Sequence, residues 1–342
     1  ERVPGCRLGR LNGSDFALAL PVGGVALETA QAVAKALAVA LPAFGPGIAV
    51  AAGAVEMRRD MPIAVLMGAA DAALARAESR GPFAVEGPGD TAPGDTTVLG
   101  EGAWRQRIVD ALGERRLRLV GFPVVDRGGA LLHLECPLRM QLDADGAYEP
   151  AARWLPLALR GRLTSLVDER AVSLALADIA RDRQPRCINV SSASLADSGF
   201  AARLRSLLAG APEQARLLWL EVPESAATDH FAQVQELAHQ LRPAGARVGL
   251  EHAGERLARI ERLFESGLDY VKLDAAVVQG VAGDGGRANY LKGVIAMLHG
   301  LAMTVIAEGV VDEADAQALW GAGVDGITGP WASGVRSDLL IS

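Results

Sequence analysis

The chain has 342 residues, half of them hydrophobic and 22% charged, a balance that excludes a disordered segment and leaves length for two domains and at least one large core. Aromatic residues make up only 4%, so the cores are expected to be built from Ala, Leu and Val. A net charge of -7 excludes a general nucleic-acid surface, which would be basic, but leaves room for a small anionic ligand in a local pocket.

In chain order, Phe16 to Pro21 reads as a strand and Val25 to Leu41 as an Ala-rich helix with an apolar stripe. Ile48 to Ala54 is a second strand and Pro62 to Arg80 a second helix, giving a β-α-β-α fragment that ends near Gly87. Residues 88–100, dominated by Gly, Pro, Asp and Thr, read as a linker. The domains are therefore expected at 1–87 and 101–342. In the second, strand-like runs recur at Leu117 to Val125, Leu131 to Arg139, Cys187 to Ser191, Leu217 to Val222, Arg247 to Glu251, Asp269 to Asp274, Met303 to Glu308 and Val324 to Thr328. Between them lie amphipathic stretches such as Ala201 to Leu208, His230 to Leu241, Leu257 to Ser266 and Asn289 to Leu301. That alternation predicts an α/β fold, a barrel of parallel strands ringed by helices. Asn189, Glu221, Glu251, Lys272 and Glu308 fall at or just past strand C-terminal ends, the edge that carries the site in such barrels.

Cys6, Cys136 and Cys187 show neither pairing nor metal-ligand spacing, which fits a reduced cytosolic compartment. There is no signal peptide and no apolar run of 18 residues. The chain opens within a few residues of a strand-like segment, as a fragment of a longer protein would, with any membrane anchor upstream.

The second block carries INVSS (Ile188 to Ser192), LEVPES (Leu220 to Ser225), DYVKLD (Asp269 to Asp274), IAEGV (Ile306 to Val310) and GVDGITGP (Gly323 to Pro330), and in that order and spacing these motifs resemble the EAL domain family of cyclic-di-GMP phosphodiesterases. The first block is similar to the C-terminal half of a GGDEF diguanylate cyclase domain, through RLGRLNGSDFALALP (Arg7 to Pro21) and AADAALARAESRG (Ala69 to Gly81). The fold implied is a partial GGDEF-type α/β domain followed by an EAL-type (β/α) barrel like that of triosephosphate isomerase.

Phosphodiester hydrolysis in this family resembles two-metal catalysis on oxygen ligands. The resemblance puts Glu135, Asn189, Glu221, Lys272 and Glu308 at matched positions. The family's adjacent Asp pair reads Glu251-His252, and Glu-Ala-Leu reads Glu135-Cys136-Pro137. The GGDEF signature reads Asn12 to Phe16, with Ser14 in place of a metal-binding carboxylate. These departures lead to the expectation of a chain that is not an enzyme, with no catalytic residues, Glu251, His252 and Ser14 being degenerate positions; an active cyclic-di-GMP phosphodiesterase and a ligand-free interaction scaffold are the alternatives left open.

Binding is expected to outlast cutting. Arg139 and Asn189 would hold phosphate, and Phe122, Pro123, Leu138 and Pro330 would wall the bases. Glu135, Glu221, Glu251, Lys272 and Glu308 complete the expected ligand site. Cyclic-di-GMP is then a ligand that needs no metal. The combined pattern resembles LapD-type receptors, in which a membrane or periplasmic event such as biofilm adhesin retention is controlled from the cytoplasm. The location implied is the cytoplasmic portion of a bacterial inner-membrane protein. The partners implied are cyclic-di-GMP, a second copy in a homodimer, a diguanylate cyclase, and a periplasmic protease reached through a domain outside this chain; no nucleic-acid polymer is expected.

Overall fold

The computed structural model describes residues 6–10, 16–41, 50–57, 61–87, 101–254 and 263–335. Ser14 and the linker expected at 88–100 lie outside the described residues. Two compact units emerge, one of Glu1–Asp110 with Ala152–Gly161 and one of Ala111–Ala151 with Arg162–Ser342.

In the first unit, β1 (Arg7–Arg10) and β2 (Phe16–Ala19) form an antiparallel pair, followed by α1 (Ala26–Ala40), β3 (Ala52–Gly53), α2 (Ile63–Arg80) and β4 (Val85–Glu86). The short strands β3 and β4 run parallel. Small residues set the packing here: Ala34, Ala54, Ala73 and Ala77 are buried. A Cβ on Gly53 would stand 2.4 Å from the Leu74 nitrogen, so only glycine lets β3 approach the α2 backbone.

The second unit is a closed eight-stranded barrel with a small side sheet. The barrel strands are β6 (Phe122–Val125), β7 (Leu131–Glu135), β10 (Arg186–Asn189), β11 (Leu218–Pro223), β12 (Arg247–Ala253), β13 (Tyr270–Leu273), β14 (Thr304–Ala307) and β15 (Gly326–Thr328). The side sheet orders β5 (Leu117–Leu119), β8 (Leu138–Gln141) and β9 (Tyr148–Pro150) as β5-β8-β9. An all-parallel barrel is corrected: β6 runs antiparallel to both its neighbours, β15 and β7. The reason is local. Asp126 Oδ1 accepts from the Gly128 and Ala130 amides and closes a short turn between β6 and β7. A turn that short joins only antiparallel strands, because a parallel crossover needs a dozen or more residues.

Two single strands expected from sequence are each split. Leu117 to Val125 divides into β5 and β6, and Leu131 to Arg139 divides into β7 and β8. Pro137 falls at the second break, where it supplies no ladder donor. Leu138 and Arg139 therefore belong to the side sheet. Among the helices, α3 (Glu101–Gly113), α4 (Ala151–Arg160) and α5 (Thr164–Asp182) precede β10. The buried face of α5 includes Val167, Ala171, Val172, Ala175, Leu176 and Ile179, spaced at a helical period.

The expected inner-membrane location is corrected. Among the described residues no helix is long and apolar enough to cross a membrane.

Candidate functional site

Alternation along the barrel strands sets two levels of inward side chains. Near the C-terminal edge stand Glu135 on β7, Asn189 on β10, Glu221 on β11, Glu251 on β12 and Lys272 on β13, with Glu308 one residue past β14. Two residues earlier on four of these strands come His133, Cys187, Trp219 and Tyr270, all buried. Gly249, two before Glu251, makes room for that lower level, since a Cβ there would stand 2.6 Å from the Tyr270 ring.

Lys272 is the centre of the upper level. Its Nζ lies 2.7 Å from Glu135 Oε1 and 2.6 Å from Glu221 Oε2, with only 4% of the side chain exposed. Burial by itself would lower the lysine pKa; the Glu221 and Glu135 carboxylates reverse that and hold it well above the ordinary value. Burial raises the Glu221 carboxyl, and the Lys272 charge opposes the rise.

On the other side of the mouth, Asn189 Nδ2 donates to Glu251 Oε2 at 2.6 Å. Burial, reinforced by the Glu221 charge, pushes the Glu251 carboxyl up to about 7. His252 follows at a register shift between β12 and β13, with φ of 52°. A bulge with a left-handed residue turns its side chain away from the ladder. Its Nδ1 lies 3.1 Å from Glu308 Oε2 and 3.3 Å from Asp274 Oδ2. The Glu308 contact is a close ion pair short of an aligned hydrogen bond, because Glu308 Oε2 has no hydrogen-bond partner. The Glu308 carboxylate, outweighing partial burial, raises His252 to about 9, so the imidazole is charged at neutral pH.

Glu135, Asn189, Glu221, Glu251, Lys272 and Glu308 are thus brought together, joined by His252. Phe122 lies opposite Glu135 in the β6–β7 register, 37% exposed, and Pro123 lies opposite Leu134. Leu138 and Arg139 pair with Leu119 and Arg118 on β5. Pro330 opens the helix Pro330–Val335 just beyond β15. Trp331 Nε1 donates to Glu313 Oε2.

Sequence reasoning missed Asp274 and Glu224. Asp274 directly follows the Lys272 strand and caps the helix Ala275–Val278 as well as facing His252. Glu224, three residues past Glu221, is buried and its Oε1 accepts from the Gly254 amide at 3.0 Å, anchoring the backbone after β12. Carboxylates at those offsets were the available signals. The donor set of the mouth fits a hard divalent cation: Glu251, Glu308 and Asp274 offer carboxylate oxygens and Asn189 an amide oxygen.

Residues 105–334 match the model of the EAL domain. A relative in Escherichia coli (strain K12), the cyclic di-GMP phosphodiesterase PdeF, is 25% identical over 66% of this chain and 31% of its own length. The structure of the S helix-GGDEF-EAL portion of LapD from Vibrio cholerae, bound to c-di-GMP, superposes with a TM-score of 0.73 at 19% identity, over 95% of this chain and 78% of that one. That likeness is one of fold. The FimX EAL domain from Pseudomonas aeruginosa, bound to c-di-GMP, has a TM-score of 0.61 at 26% identity, over 66% of this chain and 93% of that one. This chain spans only about a third of PdeF.

Two expectations are corrected by these findings. A chain that is not an enzyme is overturned by the phosphodiesterase name of PdeF and of other relatives at 24–26% identity. The motif departures change ligand types without removing the carboxylate set on which the expectation turned. A site that needs no metal is overturned with it: phosphodiesterases of this family draw on divalent ions, and His133, Cys187 and Glu221 bring metal-ligand atoms within 4.8 Å of one another.

Proposed function

Because the chain belongs to the EAL domain family, we propose that its barrel mouth binds cyclic-di-GMP and hydrolyses one of the two phosphodiester bonds, opening the ring to a linear dinucleotide. One observation carries the reading: Glu135, Glu221 and Lys272 on one side, and Asn189, Glu251, His252 and Glu308 on the other, meet at the C-terminal edge of the strands. Glu251, Glu308, Asp274 and Asn189 would hold a divalent cation, which when bound supplies charge against the phosphate and an activated water. Lys272 keeps Glu135 and Glu221 paired and presents a buried ammonium beside the reacting phosphate. His252, charged at neutral pH, offsets the repulsion between the acidic mouth and a dianionic ligand. Arg139 and Asn189 are proposed phosphate donors, and Phe122, Pro123, Leu138 and Pro330 proposed walls for the guanines; the exposed ring of Phe122 beside Glu135 supports this.

The Glu251-His252 pair favours a second role for the same pocket. An imidazole where the family carries a carboxylate weakens the grip on a hard ion. Slowed turnover would leave the dinucleotide bound long enough to act as a signal, as in a receptor. We read residues 1–87 as a truncated GGDEF-type domain, 88–100 as a linker and 101–342 as the EAL-type domain; the succession β1 to β4 with α1 and α2 supports the first of these.

The test is incubation with cyclic-di-GMP and Mn²⁺ or Mg²⁺, with chromatography of the products. Linear dinucleotide is expected from the wild type and is lost with EDTA and in Glu251→Gln. Product no greater than that of Glu251→Gln refutes the hydrolytic reading. Calorimetric titration of Glu251→Gln with cyclic-di-GMP then reports binding separately from turnover.

A further inference from the structure

Beneath the mouth, the lower level of the barrel holds polar atoms whose surroundings do not account for them. His133, Cys187 and Glu221 are each 0% exposed. Among the described residues, neither ring nitrogen of His133 has a hydrogen-bond partner, and Glu221 Oε1 has none, although Glu221 Oε2 accepts from Lys272. Buried polar atoms left unpaired are costly and uncommon in folded proteins. Three such atoms on two adjacent side chains in one barrel point to a group that binds them together. One donor atom from each of His133, Cys187 and Glu221 lies within 4.8 Å of the others.

We propose that His133, Cys187 and Glu221 form a buried site for a borderline-soft divalent cation of the zinc type, inside the barrel and separate from the hard-cation position at the mouth. The donor chemistry selects the ion. A thiolate, an imidazole and a carboxylate together suit zinc, whereas magnesium, manganese and calcium prefer oxygen alone. Zinc–ligand bonds of about 2.0–2.3 Å require each side chain to draw in by less than about 1 Å. The surroundings orient the ligands. Trp219 packs on the His133 ring with centroids 4.4 Å apart, and the Tyr270 hydroxyl, held by donating to the Leu220 carbonyl oxygen at 2.9 Å, lies 3.3 Å from Cys187 Sγ and fixes its position. Charge balances as well: Lys272 and a divalent ion match Glu135, Glu221 and the thiolate. Burial holds His133 neutral, the form that ligates, and raises the Cys187 thiol pKa, so loading must displace the thiol proton. Glu221 links the two levels, one oxygen on Lys272 and the other directed to the ion.

The inference stands apart from the hydrolytic reading and is tested without turnover. The chain, purified without chelators from zinc-supplemented cells, is assayed for metal by atomic emission. It is then unfolded and refolded with Co²⁺ for absorption spectroscopy. Expected are one retained zinc and, with cobalt, a sulfur-to-metal charge-transfer band beside the visible bands of a tetrahedral ion. The band should vanish in Cys187→Ser and weaken in His133→Gln, with cobalt affinity down by more than the roughly 10- to 100-fold that loss of an outer-shell partner costs. It should persist in the double variant Cys6→Ser/Cys136→Ser, which leaves Cys187 as the sole thiol and tests the proposal even if Cys187→Ser fails to fold. No band in the refolded wild type, or loss of the band in that double variant, overturns the site and leaves the orphaned atoms to buried water.

Discussion

Replacing Lys272 by Met removes the one cation between two carboxylates while nearly conserving side-chain length. The ammonium makes contacts of 2.7 and 2.6 Å to Glu135 and Glu221, and Glu221 is fully buried. Breaking a buried pair by deleting one partner destabilises by about 3–5 kcal/mol, because the remaining charge keeps its desolvation penalty. At about 2–4 °C per kcal/mol for a unit of this size, the barrel transition should fall by roughly 6–20 °C at pH 8. The effect must also depend on pH, and the sign is fixed. Without the lysine, the folded-state pKa of Glu221 rises further above its unfolded value of about 4.3. Stability from such a group is fully present below that unfolded value and is lost as the pH climbs through the folded one. The deficit of Lys272→Met should therefore shrink at pH 5 and widen at pH 8. The double variant Lys272→Met/Glu221→Gln should recover part of it, since the glutamine carries no charge. Thermal unfolding followed by circular dichroism at both pH values is the assay. A fall of less than about 3 °C at pH 8, or a deficit that grows on acidification, would refute the assignment of Lys272 as the clamp of the mouth.

Other perturbations read different parts of the same unit. His252→Asp restores an adjacent carboxylate and accepts the left-handed backbone; turnover with Mn²⁺ should rise on the order of 10- to 100-fold, read from dinucleotide product, and an unchanged rate would remove position 252 from the metal site. Burial raises Asp168 to about 6 although its carboxylate accepts from the Ser191 amide and the Ser194 hydroxyl. Its stabilising effect is thus present below about pH 4 and lost as the pH rises through 6, a swing of about 3 kcal/mol; denaturant titrations should show that slope in the wild type and a flatter one in Asp168→Asn. Gly249→Ala sets a methyl against the Tyr270 ring and should cost about 1–3 kcal/mol, measured by urea unfolding. Glu224→Ala frees the Gly254 amide and should lower turnover with a loss of about 1–2 kcal/mol in stability.

Much of the site is written in the sequence because a barrel strand has a period of two and its C-terminal end has a fixed address. Asn189, Glu221, Glu251, Lys272 and Glu308 each end an apolar run, and that spacing alone puts them at one rim. The same period marks His133, Cys187, Trp219 and Tyr270 as the level below. A reader following motifs sees single core residues there, since nothing along the chain says that three donor atoms from three strands converge within 4.8 Å. The direction of β6 follows from a turn too short for a crossover, yet the expectation of an all-parallel barrel had set that local signal aside. The sequence by itself determined the barrel, its rim and the residue types offered there, because periodicity and strand ends are local properties. Only the tertiary structure decided that Lys272 is clamped between Glu135 and Glu221, that a bulge turns His252 onto Glu308, and that His133 faces Cys187. Those contacts join residues 51 to 137 positions apart, as Lys272 joins Glu221 and Glu135, and depend on strand register, which no local pattern encodes.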